Sequence, residues 1–216
     1  MSRVAFLHTG SVVIPPVMEL AGRLLPGADT INYLDDRIVA DLGDDVRSIS
    51  VPDRVADLVQ AAKSAGAEVV MLTCSSISQL AAPAAERVGI PVLRIDEAMA
   101  DQAVTLGERI VVLATLPTTC SPTAALIEER AALAGAVCQI TSNVIEGAFE
   151  AVSRGDRDTH DRLVAAAIES VAPSVDVIVL AQVSMASAAD QVTVGIPVLT
   201  SLEPGIQRLR DTIAAR

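Results

Sequence analysis

Glu68-Val-Val-Met-Leu-Thr-Cys-Ser-Ser76 aligns without a gap on Asp176-Val-Ile-Val-Leu-Ala-Gln-Val-Ser184, and this pairing decides the fold. Each stretch is a short, unbroken apolar run that begins at an acidic residue and ends in small or polar ones, the pattern of a parallel strand covered on both faces. The two stretches lie 108 residues apart, half of a 216-residue chain. Outward from them the correspondence continues. Downstream, Gly89-Ile-Pro-Val-Leu93 recurs as Gly195-Ile-Pro-Val-Leu199, each followed four residues later by a glutamate, Glu97 and Glu203. Upstream, Arg3-Val-Ala-Phe-Leu-His-Thr9 matches Arg109-Ile-Val-Val-Leu-Ala-Thr115. Three blocks in the same order at near-constant offset mark an internal duplication.

Within each half, strands alternate with helices. Val4 to Leu7, Val69 to Thr73 and Pro91 to Ile95 read as strands, a weaker one falls at 30–34, and the second half mirrors them with its weak strand at 137–141. Residues 52–65 and 158–171 carry apolar positions at helical spacing behind acidic first turns. This predicts an α/β fold of two similar subdomains, each a four-stranded parallel sheet flanked by helices, related by a pseudo-two-fold axis with the active-site cleft between them. The expected subdomains are 1–97 with 203–216, whose last helix at about 205–216 packs back on the first half, and 98–202. No low-complexity linker separates them.

Composition narrows the function. Sixteen Lys and Arg against 27 Asp and Glu give a net charge of −11, and the chain has no Trp, one Tyr and two Phe. That field repels phosphate backbones and offers almost no aromatic faces to bases, so nucleic acid is not an expected partner. The residues are 51% hydrophobic with mean hydropathy +0.47. No run approaches the ~18–20 apolar residues of a membrane span, so no membrane association is expected. The first apolar run is too short for a signal-peptide core, and the odd cysteine set, Cys74, Cys120 and Cys138, suits neither a disulfide framework nor a cysteine zinc site. A cytoplasmic enzyme is the expectation, with a homo-oligomer allowed.

Open parallel sheets bind ligands beyond the carboxyl ends of their strands. The repeated blocks put Thr9, Cys74, Thr115 and Gln182 there. Cys74 follows an apolar strand and precedes Ser75-Ser76, hydroxyls suited to capping, in a setting where unpaired backbone N–H groups favour a thiolate. A buried structural cysteine with serine caps is the plainer reading of those residues alone.

The block Thr73-Cys74-Ser75-Ser76 and the element Thr115-Leu-Pro-Thr118-Thr-Cys-Ser121, together with the duplication, make the chain resemble the aspartate/glutamate racemase superfamily, which includes hydantoin racemases, maleate cis-trans isomerases and arylmalonate decarboxylase. The resemblance spans nearly the whole chain. It implies cofactor-independent proton transfer at a carbon next to a carboxylate, one thiol removing the proton and a second returning it from the opposite face. Cys74 matches the first thiol. Where the second belongs the chain reads Leu180-Ala-Gln182-Val183-Ser184, and an amide is no base near neutral pH. Ser75, Ser76, Thr118, Thr119 and Ser184, with nearby backbone N–H groups, suit a carboxylate at helix N-termini, though each is equally an ordinary cap or turn hydroxyl. Thr9, Thr115 and Val183 stand with them as expected substrate-binding residues, Ser11 lies where the family binds substrate, and Gln182 is expected to orient the substrate.

A lone thiol can abstract a proton from one face, protonate a carbanion formed otherwise, or add to a carbonyl or an activated double bond. The expected function is therefore a cofactor-independent isomerase acting on a small carboxylate, with Cys74 as acid/base or nucleophile. Two alternatives stand beside it. One is a single-thiol decarboxylase; arylmalonate decarboxylase has its thiol in the other half, where this chain has Gln182. The other is a carboxylate-binding protein without catalysis.

The remaining polar residues read as structural. His8 ends an apolar strand, where a satisfied structural histidine is the commoner case, and His160 in Asp156-Arg-Asp-Thr-His-Asp-Arg162 reads as solvated surface. Cys120 lies near the start of a helix that approaches the cleft, and Cys138 lies in the weak strand of the second half. Asp35, Asp36, Asp44 and Asp45 have no His or Cys at ligand spacing, so no metal is expected. Lys63, the only lysine, reads as exposed, and no phosphate-binding glycine loop occurs, so no cofactor is expected.

Overall fold

In the computed structural model of the protein, residues 2–215 are described. The chain divides into two compact units, Met1–Ile95 with Gly205–Arg216, and Asp96–Pro204. The terminal residues Met1 and Arg216, the latter the expected end of the last helix, lie outside the described residues.

The first unit is built on strands β1 (Arg3–His8), β2 (Asp29–Leu34), β3 (Val69–Leu72) and β4 (Val92–Arg94), all parallel in the order β2-β1-β3-β4. Helices α1 (Ile14–Leu24), α2 (Ile38–Leu42), α3 (Val51–Ser64) and α4 (Ala81–Val88) connect them. Successive strand residues point to opposite faces. Ala5, Leu7, Val70 and Leu72 accordingly pack on Val55, Val59 and Ala62 of α3 and on Ala81, Ala84 and Val88 of α4. Val4, Phe6, Val69 and Met71 are buried on the other face. Each such apolar side chain contributes about 1.5–3 kcal/mol when fully removed from water.

The second unit repeats the plan. Helix α5 (Glu97–Leu106) leads into β5 (Arg109–Ala114), then α6 (Pro117–Ala134), β6 (Gln139–Val144), α7 (Ala148–Ser153), α8 (Arg157–Val171), β7 (Val177–Leu180), α9 (Ala186–Ala189) and β8 (Val198–Thr200). The strand order is β6-β5-β7-β8, all parallel. Ile110, Val112, Val177 and Val179 pack with Leu126 and Ile127 of α6 on one face. Val111, Leu113, Ile178 and Leu180 pack with Val164 and Ile168 of α8 on the other. The duplication is thus visible as two four-stranded parallel sheets of identical topology.

Helix α10 (Leu202–Ala214) carries the chain back to the first unit from Gly205 onward. A Cβ at Gly205 would stand 2.4 Å from the carbonyl oxygen of Ile95, so glycine is what allows this approach.

One strand departs from expectation. The weak strand expected at 137–141 runs instead over Gln139–Val144, and Val137 is 86% exposed in the connection before it. Strand β6 lies at the edge of its sheet with five of its six residues exposed, so its polar residues carry no apolar signal. Cys138 therefore precedes the strand, half-buried, with its sulfur 3.9 Å from the carbonyl of Gly107.

Candidate active site

In each sheet the chain moves from the central strand to one edge and then crosses back, β1 to β2 to β3 and β5 to β6 to β7. The crevice at such a reversal, at the carboxyl ends of the two central strands, is where open α/β sheets hold ligands. Thr9 follows β1 and Cys74 stands two residues past β3. Thr115 follows β5 and Gln182 stands two residues past β7.

Cys74 and Gln182 are equivalent in local structure as well as in sequence. Cys74 (φ −128, ψ 120) caps the 3-10 turn Ser75–Leu80, and Gln182 (φ −129, ψ 139) caps the 3-10 turn Val183–Met185. Neither turn has a side-chain cap hydrogen bond. The capping positions fall on Cys74 for the turn and on Leu80 for α4, so Ser75, Ser76 and Ser78 lie buried within the turn and not at the caps expected of them. The thiol itself is half-buried against the core beneath it.

The polar groups behind the two positions differ. In the first unit His8, fully buried, is engaged at both ring nitrogens: Nε2 lies 2.9 Å from Oδ1 of Asn32 and Nδ1 2.8 Å from the hydroxyl of Thr73. An amide oxygen only accepts, so Nε2 donates to Asn32, while the Thr73 hydroxyl, which also lies 3.0 Å from the carbonyl of Leu7, has one proton to place between that oxygen and Nδ1. Burial holds the imidazole below its usual pKa, partly offset by the bond to Asn32. The ring thus braces β1 against β2 and the residue that follows β3. In the second unit Ala114 and Ala181 occupy the positions of His8 and Thr73.

There the polar contact moves up to the strand ends. The backbone N–H of Thr115 donates to Oε1 of Gln182 at 2.6 Å, and the Thr115 hydroxyl lies 3.0 Å from the same oxygen. A backbone N–H selects the amide oxygen, so Nε2 of Gln182 faces away from Thr115, with no hydrogen bond among the described residues.

Around Gln182 lie further candidates. Thr118 stands near the start of α6; its Oγ1 is shielded from solvent and has no hydrogen-bond partner among the described residues. Thr119 is buried, and its carbonyl accepts from the Thr123 hydroxyl at 2.9 Å. Val183 and Ser184 are buried in the turn after Gln182. Ser11, in contrast, is exposed in a short turn after β1. Cys120 is buried inside α6, where burial raises its thiol pKa against a hydrogen bond from Ser142 that lowers it.

Sequence reading missed two residues of α8. Arg157 donates from Nη1 to the carbonyl of Ser184 at 2.7 Å. His160, expected on the solvated surface, is fully buried instead. Its Nδ1 lies 2.7 Å from Oδ1 of Asp161, which also accepts from the Ser187 hydroxyl at 3.0 Å, while Oδ2 accepts from Gln191 at 3.2 Å. The charged run around His160 concealed it, because one face of α8 turns inward on α7 and α9. Arg157 and Asp161 together tie α8 to the segment that follows Gln182. Among the described residues no group of three or more His, Cys, Asp or Glu could hold a metal, and no helix is long and apolar enough to cross a membrane.

The fold has close counterparts among solved structures. Glutamate racemase isoform RacE1 from Bacillus anthracis matches with a TM-score of 0.77 at 16% identity, over 99% of this chain and 82% of that one. Allantoin racemase from Klebsiella pneumoniae matches at 0.71 and 18%, over 100% and 88%. Arylmalonate decarboxylase matches at 0.62 and 22%, over 96% and 92%. At these identities the likeness is one of fold. No curated protein matches the sequence. The profile of the Asp/Glu/Hydantoin racemase family matches residues 16–209, nearly the whole chain, and the protein belongs to that family.

Proposed function

We propose that the protein is a cofactor-independent isomerase acting on a small carboxylate, with Cys74 as the acid/base or nucleophile. The observation that carries this reading is the equivalence of Cys74 and Gln182 at the two strand ends, with only the first able to exchange a proton. As a thiolate Cys74 takes a proton from one face of the carbon next to a carboxylate, and inversion follows when the planar carbanion turns over and receives the proton back on its other face; on an activated double bond it adds, allows rotation and leaves. Gln182 orients the substrate, and hydroxyls and backbone N–H groups at Thr9, Ser11, Ser75, Ser76, Thr115, Thr118, Thr119, Val183 and Ser184 support binding.

A second reading is favoured by the tie between Thr115 and Gln182, which leaves no titratable side chain at position 182. In that reading the carbanion forms by loss of CO2 and Cys74 only protonates it. Relative to arylmalonate decarboxylase the proton then arrives from the other half of the fold, and the product has the opposite hand. Incubation with aspartate, glutamate, substituted hydantoins, arylmalonates and maleate, followed by chiral chromatography and CO2 measurement, separates the readings. Inversion or double-bond conversion without CO2 supports the isomerase, and CO2 release supports the lyase. No Cys74-dependent product with any of them contradicts both.

A further inference from the structure

We infer that Arg157, Gln182 and Thr118 form a carboxylate subsite in the second unit, which restricts the substrate to molecules bearing an ionised carboxylate and rejects neutral rings such as hydantoin. The inference rests on the proposed action on a small carboxylate and names the groups that select it.

Three observations carry it. Arg3, Arg54 and Arg130 are half-buried, and each grips a carboxylate, of Asp29, of Asp35 and Asp41, and of Asp101 respectively. Arg157 is half-buried too, yet among the described residues the one hydrogen bond of its side chain goes to a carbonyl, that of Ser184, and it pairs with no carboxylate. In a chain with 27 acidic residues against 16 basic ones, a guanidinium held near a strand end without an acidic partner has its remaining N–H groups and its charge at the disposal of an anion.

The second observation is the orientation of Gln182. Thr115 occupies Oε1 with a donor that cannot be reversed, which turns the NH2 group, a pair of donors, away from the sheet. The third is Thr118, three residues beyond Thr115, whose hydroxyl is out of solvent with no partner among the described residues. All three groups donate hydrogen bonds and belong to one unit: Gln182 and Thr118 follow the ends of β7 and β5 in the chain, and Arg157 is bonded to Ser184, two residues past Gln182. A carboxylate oxygen accepts from each of them. A neutral imide carbonyl accepts more weakly and gains nothing from the charge of Arg157.

The test measures binding on the full-length Cys74→Ala variant, so that it does not depend on turnover. The side-chain amide of Gln182, in protein labelled with 15N-glutamine and assigned by Gln182→Met, is followed while maleate, phenylmalonate or unsubstituted hydantoin is added. The expected result is a saturable shift with at least one of the two carboxylates and none with hydantoin. Arg157→Gln, which keeps a donor for the Ser184 carbonyl and removes the charge, should weaken that carboxylate roughly tenfold or more, and Arg157→Lys should restore most of the loss. Carboxylate binding indifferent to Arg157→Gln, hydantoin binding as tightly, or no saturable shift with either carboxylate would each overturn the subsite. Binding that depends on Arg157 in a protein whose wild type shows no Cys74-dependent chemistry sustains the subsite and removes the catalytic proposal. Cys74-dependent turnover with binding indifferent to Arg157 does the reverse.

Discussion

Thr115 holds Gln182 by its acceptor oxygen, through a backbone N–H at 2.6 Å and a hydroxyl at 3.0 Å, and thereby makes position 182 a hydrogen-bond donor where its repeat partner, Cys74, is a thiol. The two halves share topology and strand-end geometry but not chemistry. Gln182→Cys restores a titratable group at that position. It should bring a gain in racemisation of whichever substrate the wild type processes, read by chiral chromatography. Unchanged stereochemical output would count against Gln182 as the counterpart of Cys74.

Cys120 is the other thiol close to a strand end, within the Thr-x-x-Thr-x-x-Ser element. It is buried in the core beside Ser142, with its pKa raised by that burial. Cys120→Ala should leave turnover within a few fold while lowering stability by about 1 kcal/mol, as expected for a small cavity. A loss of turnover as deep as that of Cys74→Ala would show that the wrong thiol has been chosen.

Gly205 lets α10 approach the carbonyl of Ile95, and a methyl group there would meet that oxygen at 2.4 Å. Backbone cannot yield as a flexible side chain does. Gly205→Ala should therefore cost about 1–3 kcal/mol in urea unfolding, the range for forced overpacking. A change within about 0.5 kcal/mol, typical of an indifferent surface position, would contradict the close approach of the helix to Ile95.

Acid should weaken the fold in two separate windows. The folded-state pKa of His8 lies below its ordinary 6.5, chiefly through burial, so the unfolded chain takes up the proton first. Its contribution is full above about pH 6.5 and is lost as pH falls from there through the folded value, at no more than about 1.4 kcal/mol per pH unit. Asp176, held down to about 2 by the Arg109 side chain and backbone, contributes above its ordinary 3.8 and loses that contribution as pH falls through about 2. Urea midpoints at about pH 7.5 and about pH 5.5 should differ in the wild type, with the difference reduced in His8→Gln. An unchanged difference in the variant would mean that His8 is not the group responsible.

The central strands are legible in the sequence because both of their faces are buried, which leaves an unbroken apolar run that survives in two copies. Edge strand β6 starts two residues later than its pattern suggests for the converse reason: its side chains are solvated, and the most apolar residue nearby, Val137, lies outside it. The strand-end candidates Thr9, Cys74, Thr115 and Gln182 follow from the repeat. What sequence does not carry is direction and distance. That Gln182 presents its NH2 group depends on Thr115, 67 residues away, and the contact of Arg157 with Ser184 joins residues 27 apart. His160 sits in a charged run that reads as surface, yet helical periodicity turns it inward beside Asp161.

The central claim, that Cys74 alone moves the proton, is tested most directly by proton NMR in D2O, with wild type and Cys74→Ala incubated with the same carboxylates. The account predicts exchange, migration or delivery of a carbon-bound proton in the wild type and its loss in the variant, to a rate at least about a hundredfold lower, as for removal of a general acid or base. Exchange at an unchanged rate in Cys74→Ala would contradict it.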